Sequence, residues 1–483
     1  MVSPTTSRPA RSPWPGWLCL AALLLAAALA ARFAGPLFGR DVALEDMPIV
    51  VMVVCYCSVG LIAALALPSL IRSSAQANTN SLLIFILLAG LAMRLSQLGA
   101  TPILEDDYNR YLWDGAVTAS GQSPFALSPE AAGTSTEPTL KTLRDRAGPV
   151  FDDINYPEYR TVYPPVAQAA FALSHLVSPF SLDAWRLLLI ALELAAMGFL
   201  VAILRQFGRS DLWFALYWWN PLIIKELANS AHMEPVLVLP LVAGVWAALA
   251  ARPIWASGLL ALAAGVKLWP MVLSAALFRR LLNDWKTFAA AAGLATFLLA
   301  LIAWPVLQAG LGSDSGFVAY AQKWRASSAS FLVAEWLVNM APDALLGAVE
   351  PGLLARALLA GLLAAAFTAI LRRKARDGRE TVYQMFCIAG ALYLLSPSQF
   401  PWYFVWIAPF LCVFPVRGLV LAGALLPMHY LYFHYAAYDL EDAYRHGIVW
   451  LIWLPVWALL ATDWIRNRTF TPQLSEEHYA SQS

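Results

Sequence analysis

Apolar runs of 17 or more residues recur along this 483-residue chain, near 17–34, 48–71 and 81–98 and repeatedly thereafter. Runs of that length are what a helix needs to cross the hydrocarbon core of a bilayer. A membrane β-barrel would instead alternate over segments of about ten residues. The sequence therefore predicts an all-α polytopic membrane protein with roughly 11–13 membrane segments. Hydrophobic residues make up 60% of the chain and charged ones 13%, outside the balance of soluble domains. A net charge of +1 gives no bulk attraction to nucleic acid. The five cysteines all fall in apolar runs, so they read as packing residues without a disulfide framework.

Basic residues suggest which side each loop occupies. Arg8 and Arg11 precede the first run and Arg72 follows the second, marking both places as cytoplasmic. The first run has no clear cleavage site after it and reads as a retained helix. The third run then delivers residues 99–162 to the outside, in a loop with ten acids against five Lys and Arg. Further basic clusters at Arg205 and Arg209, Arg279 and Arg280, Arg372 to Lys374, Arg417, and Arg466 with Arg468 mark the inner side. This works if 164–181 does not cross, as Pro164-Pro165 suggests, and if 254–282 is a pair of short helices broken at Lys267-Leu268-Trp269-Pro270. A single bent crossing at 254–282 would flip the side of residues 205–253. The expected organisation is N-terminal helices over 1–98, an outer loop over 99–163, a helical core over 164–466 and a polar cytoplasmic tail over 467–483.

Four carboxylates fall within Glu105-Asp106-Asp107-Tyr108-Asn109-Arg110-Tyr111-Leu112-Trp113-Asp114-Gly115. From Asp107 the spacing is helical, with Asp107, Arg110, Tyr111 and Asp114 on one face, and Gly121 and Pro124 end it. A helix on the membrane surface is expected, with its apolar side in lipid and its acids facing a cavity. Four more polar interruptions share that side: Asn229 to Glu234 around His232, then Lys267, the 311–330 loop, and Ser396 to Tyr403. Several such breaks facing one way point to a cavity. Lys267 is costly in a membrane unless it meets a partner, and a phosphate is a natural one. Lys323 and Arg325 could clamp a phosphate or simply be solvated. The rings of Trp402 and Tyr403 suit an interfacial belt, a sugar face or an isoprenoid tail. No metal site is expected, because only His232 and Glu234 lie close together in sequence. No Walker or dinucleotide glycine motif offers a site for a soluble nucleotide donor.

An outward carboxylate, a cation for phosphate and apolar grooves fit transfer of a sugar from a lipid-linked phosphate. The chain resembles GT-C-type membrane glycosyltransferases, in particular the family 87 polyprenol-phosphate-mannose-dependent mannosyltransferases. The resemblance rests on Asp106-Asp107 with Arg110 to Gly115, Gly121 to Phe125, Tyr163-Pro164-Pro165, Trp219 to Leu222, Ala231-His232, Lys267 to Pro270 and Pro401-Trp402-Tyr403, in family order. It implies a GT-C fold and an inverting hexosyltransferase, with mannose the expected sugar. Asp106 would be the catalytic base, and Asp107 would orient it or the acceptor, with the roles exchangeable. Lys267, His232 and Arg110 would hold the donor phosphate, and Tyr163, Tyr111, Trp402, Tyr403 and Glu234 would line the sugar or lipid groove. Glu234 departs from the aspartate that relatives often carry. The implied partners are a polyprenyl-phosphate sugar, a glycolipid or glycan acceptor and membrane lipids, with no nucleic acid and no cofactor, a metal requirement staying open. The implied location is the inner or plasma membrane, with the site on its outer face. A lipid or glycan flippase and a GT-C-related polymer ligase are the alternatives. A transporter would more often show paired inverted repeats, which this sequence lacks.

Overall fold

A computed structural model describes residues 12–74, 79–342 and 349–467. Arg8, Arg11, Arg468 and the tail expected beyond residue 467 lie outside the described residues. The first three expected spans are α1 (Trp14–Ala34), α2 (Ile49–Ser73) and α3 (Thr79–Leu95). An apolar solvent leaves backbone groups no partner but the helix itself. Side chains then divide by helical period: α1 buries Trp17, Leu20, Ala21, Leu24, Ala28 and Ala31, while Leu18, Leu29 and Phe33 stay exposed, as lipid allows.

The acidic helix, α4 (Asp107–Ala119), begins where the spacing predicts and ends before Gly121, whose φ is +82°. Its setting differs from the expectation of a lipid-facing side. Asn109 through Val117 are all buried. Tyr111 and Leu112 join the main core, while Trp113, Ala116 and Val117 pack with Leu140 and Leu143 of the same loop. The loop folds over the helix, so its apolar side meets protein. On another side α4 packs against α5 (Pro165–Val177). A Cβ on Gly115 would stand 2.5 Å from the Phe171 carbonyl oxygen, so this approach needs glycine. With 13 residues α5 is about 20 Å long, short of the ~30 Å hydrocarbon core.

The remaining principal helices are α6 (Leu182–Gln206), α7 (Glu234–Leu249), α8 (Pro253–Ala264), α9 (Trp285–Ala309), α10 (Ala329–Asn339), α11 (Pro351–Leu371), α12 (Gly378–Leu395) and α13 (Val449–Asn467). Among the described residues, six stretches are long and apolar enough to cross a membrane, and five apolar helices are shorter. The described residues contain no strand, only a single bridge between Ala326 and Ser398. The protein is an all-α polytopic membrane protein. Helix α7 packs between α6 and α8, and α8 packs on α9, whose Phe297, Leu301 and Trp304 are exposed. One buried ion pair fixes α3 to α6: Arg94 meets Glu193 through two 2.7 Å hydrogen bonds and lies 3.5 Å above the Trp218 ring.

Three breaks in helical structure place the polar side chains. Before α7, the Asn220 side chain accepts from the amides of Leu222 and Ile223, and Pro221 starts a short helix. A π turn over Lys225–Asn229 follows, then Ala231 at φ +59°. Such wide turns and left-handed non-glycine residues are held in place only by dense surroundings. The second break follows α8, which ends at Ala264 and gives way to a 3₁₀ turn over Trp269–Leu273, where the sequence predicts it. The third joins the 311–330 loop to residues 397–399. Gln399 donates its amide to the Ala326 carbonyl at 2.7 Å, just before the 3₁₀ turn Pro401–Trp406.

Candidate active site

The polar interruptions meet around His232. Its ring is fully buried and stacks on Trp402 at 4.0 Å between centroids, and Trp402 stacks in turn on Phe400. His232 Nε2 faces Glu105 Oε2 at 3.4 Å and Glu226 Oε2 at 3.6 Å. Its Nδ1 faces the Tyr111 hydroxyl at 3.5 Å and Asp107 Oδ2 at 3.8 Å. The π turn brings Glu226 and Lys225 to the cluster. Lys225 Nζ lies 3.5 Å from Glu226 and 4.0 Å from Glu105, donates to the Tyr430 hydroxyl, and sits 3.6 Å from the Tyr430 ring centre. The Tyr430 hydroxyl lies 2.6 Å from Glu105 Oε1 and 2.9 and 3.0 Å from the two Glu226 oxygens. Having one proton, it donates to one of them at a time.

The two aspartates have different surroundings. Asp107 Oδ2 accepts from Tyr111 at 3.3 Å and from Tyr163 at 3.5 Å, and Oδ1 accepts from the Asn155 side-chain amide at 3.0 Å. Asp106 takes only the Asn155 amide, at 2.7 Å, and opens to solvent. Protein packed around Asp106 withholds water from its carboxyl, and Asp107 and Glu105 add like charge, so it is pushed up to about 7 against the Asn155 hydrogen bond. Because the side chain still meets bulk water, the like charges are the firmer cause. A carboxyl titrating there is suited to general-base work near neutrality. Burial would raise Glu105 too, but His232, Lys225 and Tyr430 outweigh it and hold this carboxyl below its usual range.

Lys267 has a partner within the protein. Its ammonium pairs with Glu234 and lies 4.4 Å from the Tyr403 ring centre. Glu234 is fully buried and its Oε2 has no hydrogen bond, while the Lys267 side chain is 17% exposed. Tyr403 shares a 2.7 Å hydrogen bond with Tyr320 and stacks on Trp406. Tyr163 and Tyr111 pack together beside Asp107, Trp402 and Tyr403 pack together towards Lys267, and His232 joins the two pairs, forming one aromatic wall. Arg110, expected at the donor phosphate, is instead turned to Asp114, at 2.9 Å, and to the Tyr159 carbonyl, with both charges buried. Spacing i to i+4 on one helix brings that pair together. Lys323 donates to the Tyr159 hydroxyl and Arg325 pairs with Glu335.

Sequence reasoning passed over Lys225, Glu226, Tyr430 and Asn155, and gave Glu105 no role. The adjacent charges of Lys225 and Glu226 inside an apolar run were a readable signal. Nothing in the local sequence marks Tyr430 or Asn155.

The model of glycosyltransferase family 87 matches residues 161–397. This region belongs to glycosyltransferase family 87. The family 87 stretch contains Tyr163, Lys225, Glu226, His232, Glu234 and Lys267. Glu105 and Asp107 precede it, and Trp402, Tyr403 and Tyr430 follow it, all in contact with its side chains, while Asp106 meets Asn155 outside it. The match supports a GT-C-type family 87 glycosyltransferase, a class of enzyme that takes a sugar from a donor to an acceptor. No curated protein and no solved structure gives a match.

Proposed function

We propose that this glycosyltransferase is an inverting hexosyltransferase using a polyprenyl-phosphate sugar, with mannose the expected hexose. A glycolipid or glycan at the outer face of the inner or plasma membrane accepts it. Asp106 takes the proton of the acceptor hydroxyl while that oxygen attacks the anomeric carbon. The bond from that carbon to the phosphate oxygen breaks, and the electron pair leaves with the polyprenyl phosphate. Asp107, held by Tyr111, Tyr163 and Asn155, orients the acceptor and its neighbour. Lys267 faces the leaving phosphate and offsets the charge that develops on it, and His232 packs behind this pocket against Trp402. Tyr403 and Trp402 line the sugar and the first isoprene units.

The observation that supports this most is convergence. Acids that open to water and a lysine that keeps solvent contact lie along one aromatic wall, although 160 residues separate Asp107 from Lys267 in sequence. The reading is tested by reconstituting the purified protein with polyprenyl-phosphate [³H]mannose or GDP-[³H]mannose and a membrane-lipid acceptor extract. Label should move to acceptor from the polyprenyl donor alone; transfer from the nucleotide sugar in the absence of any lipid-linked sugar would refute it.

A further inference from the structure

We propose that Glu105, Glu226 and His232 form a zinc site, with His232 Nε2 and one oxygen of each glutamate as ligands. The three ligand atoms lie within 4.8 Å of one another. His232 Nε2 is fully buried, lacks a hydrogen-bond partner and points between the two carboxylates, at 3.4 and 3.6 Å. A charge-assisted hydrogen bond would draw such atoms to about 2.7–2.9 Å. Ligands bound tetrahedrally to zinc at about 2.0–2.2 Å stand roughly 3.3–3.5 Å apart. The observed gaps fit the second geometry and are too long for the first.

The surroundings agree with a metal centre. Ligating histidines commonly face a polar group with the other ring nitrogen, and His232 Nδ1 faces Tyr111 and Asp107. Stacking on Trp402 fixes the ring plane. Lys225 and Tyr430 hold Glu105 Oε1 and Glu226 Oε1, and the Tyr430 hydroxyl also lies 3.0 Å from Glu226 Oε2. Charge favours a cation as well: Glu105, Asp106, Asp107 and Glu226 gather here, and Lys225 is the one lysine or arginine paired with them among the described residues. One nitrogen and two carboxylates suit zinc, and three protein ligands leave a fourth position for water or a substrate oxygen. Neighbourhood in sequence conceals the site. The acid two residues from His232 is Glu234, which serves Lys267, while the acids that reach Nε2 come from positions 105 and 226.

The test uses the purified full chain in detergent, with any affinity tag removed and bound metal stripped by a chelator. Zinc is titrated in competition with a chromophoric chelator, and bound metal is counted by mass spectrometry after desalting. One zinc per chain is expected, bound at least tenfold more weakly by both Glu105→Gln and Glu226→Gln. Co²⁺ should give the visible absorption of a tetrahedral site, altered in both variants. Size-exclusion elution and melting temperature establish that each variant is folded, and either glutamine variant that is folded suffices. Absence of saturable zinc uptake by the wild-type chain would overturn the assignment, as would unchanged zinc affinity in a folded glutamine variant. Zinc binding is a property of these three residues, so a chain that binds zinc but transfers no sugar refutes the proposed reaction and leaves this site standing.

Discussion

The pair Lys267–Glu234 separates two explanations of a lysine in a membrane core: a donor ligand, or a counterion for one buried acid. Lys267→Ala alone cannot tell them apart. It leaves the fully buried Glu234 without its cation, and breaking a buried pair from one side typically costs about 3–5 kcal/mol. The solvent contact of Lys267 places the expected loss near the lower end, about 3 kcal/mol. The double variant Lys267→Ala/Glu234→Gln removes both charges and should recover most of that stability. Donor use should not recover with it. A phosphate deprived of a charged partner loses about 2 kcal/mol or more, which is roughly a 30-fold rise in donor KM. The assay is thermal unfolding in detergent beside initial transfer rates over a range of donor concentration. A double variant with restored stability and wild-type donor KM would refute the argument, because Lys267 would then serve Glu234 alone.

Two further outcomes follow from the fold. Glu193→Gln should destabilise the protein by about 3–5 kcal/mol, since Arg94 would keep its buried charge without a carboxylate; Arg94→Met/Glu193→Leu should lose much less, and equal losses in thermal unfolding would show that the pair is not a unit. In intact cells with a cysteine-free background, Thr136→Cys should react with a membrane-impermeant thiol reagent and Arg373→Cys should not, both positions being exposed. The reverse pattern would put the acidic loop on the inner side.

Much of the helical frame is legible in local sequence. The lengths of the apolar runs give α1, α2 and α3, and Gly121 with Pro124 gives the end of α4. Lys267-Leu268-Trp269-Pro270 gives the break after α8, because proline and a charge both oppose a continuous apolar helix. The pairing of Lys267 with Glu234 was also within reach. Helices α7 and α8 form a hairpin with a short turn, so the start of one and the residues just past the end of the other lie together. What local sequence does not carry is the set of contacts across hundreds of residues. Tyr430 reaches Glu105 over 325 positions, and nothing near Tyr430 announces an acid. The burial of α4 escaped for a related reason: an amphipathic pattern fixes which side is apolar but not whether lipid or a folded loop covers it.

In the proposed reaction Asp106 accepts the proton of the acceptor hydroxyl. Asp106→Asn keeps the size of the side chain and its contact with Asn155 but removes the acceptor of that proton. Single-turnover transfer from polyprenyl-phosphate [³H]mannose, measured with saturating donor, should fall by about 10²–10⁴. Donor binding and the unfolding temperature should stay at wild-type values, and Asp107→Asn should be milder. Wild-type single-turnover rates for Asp106→Asn would contradict the account, and wild-type rates for the double asparagine variant would remove the acidic helix from the chemistry altogether.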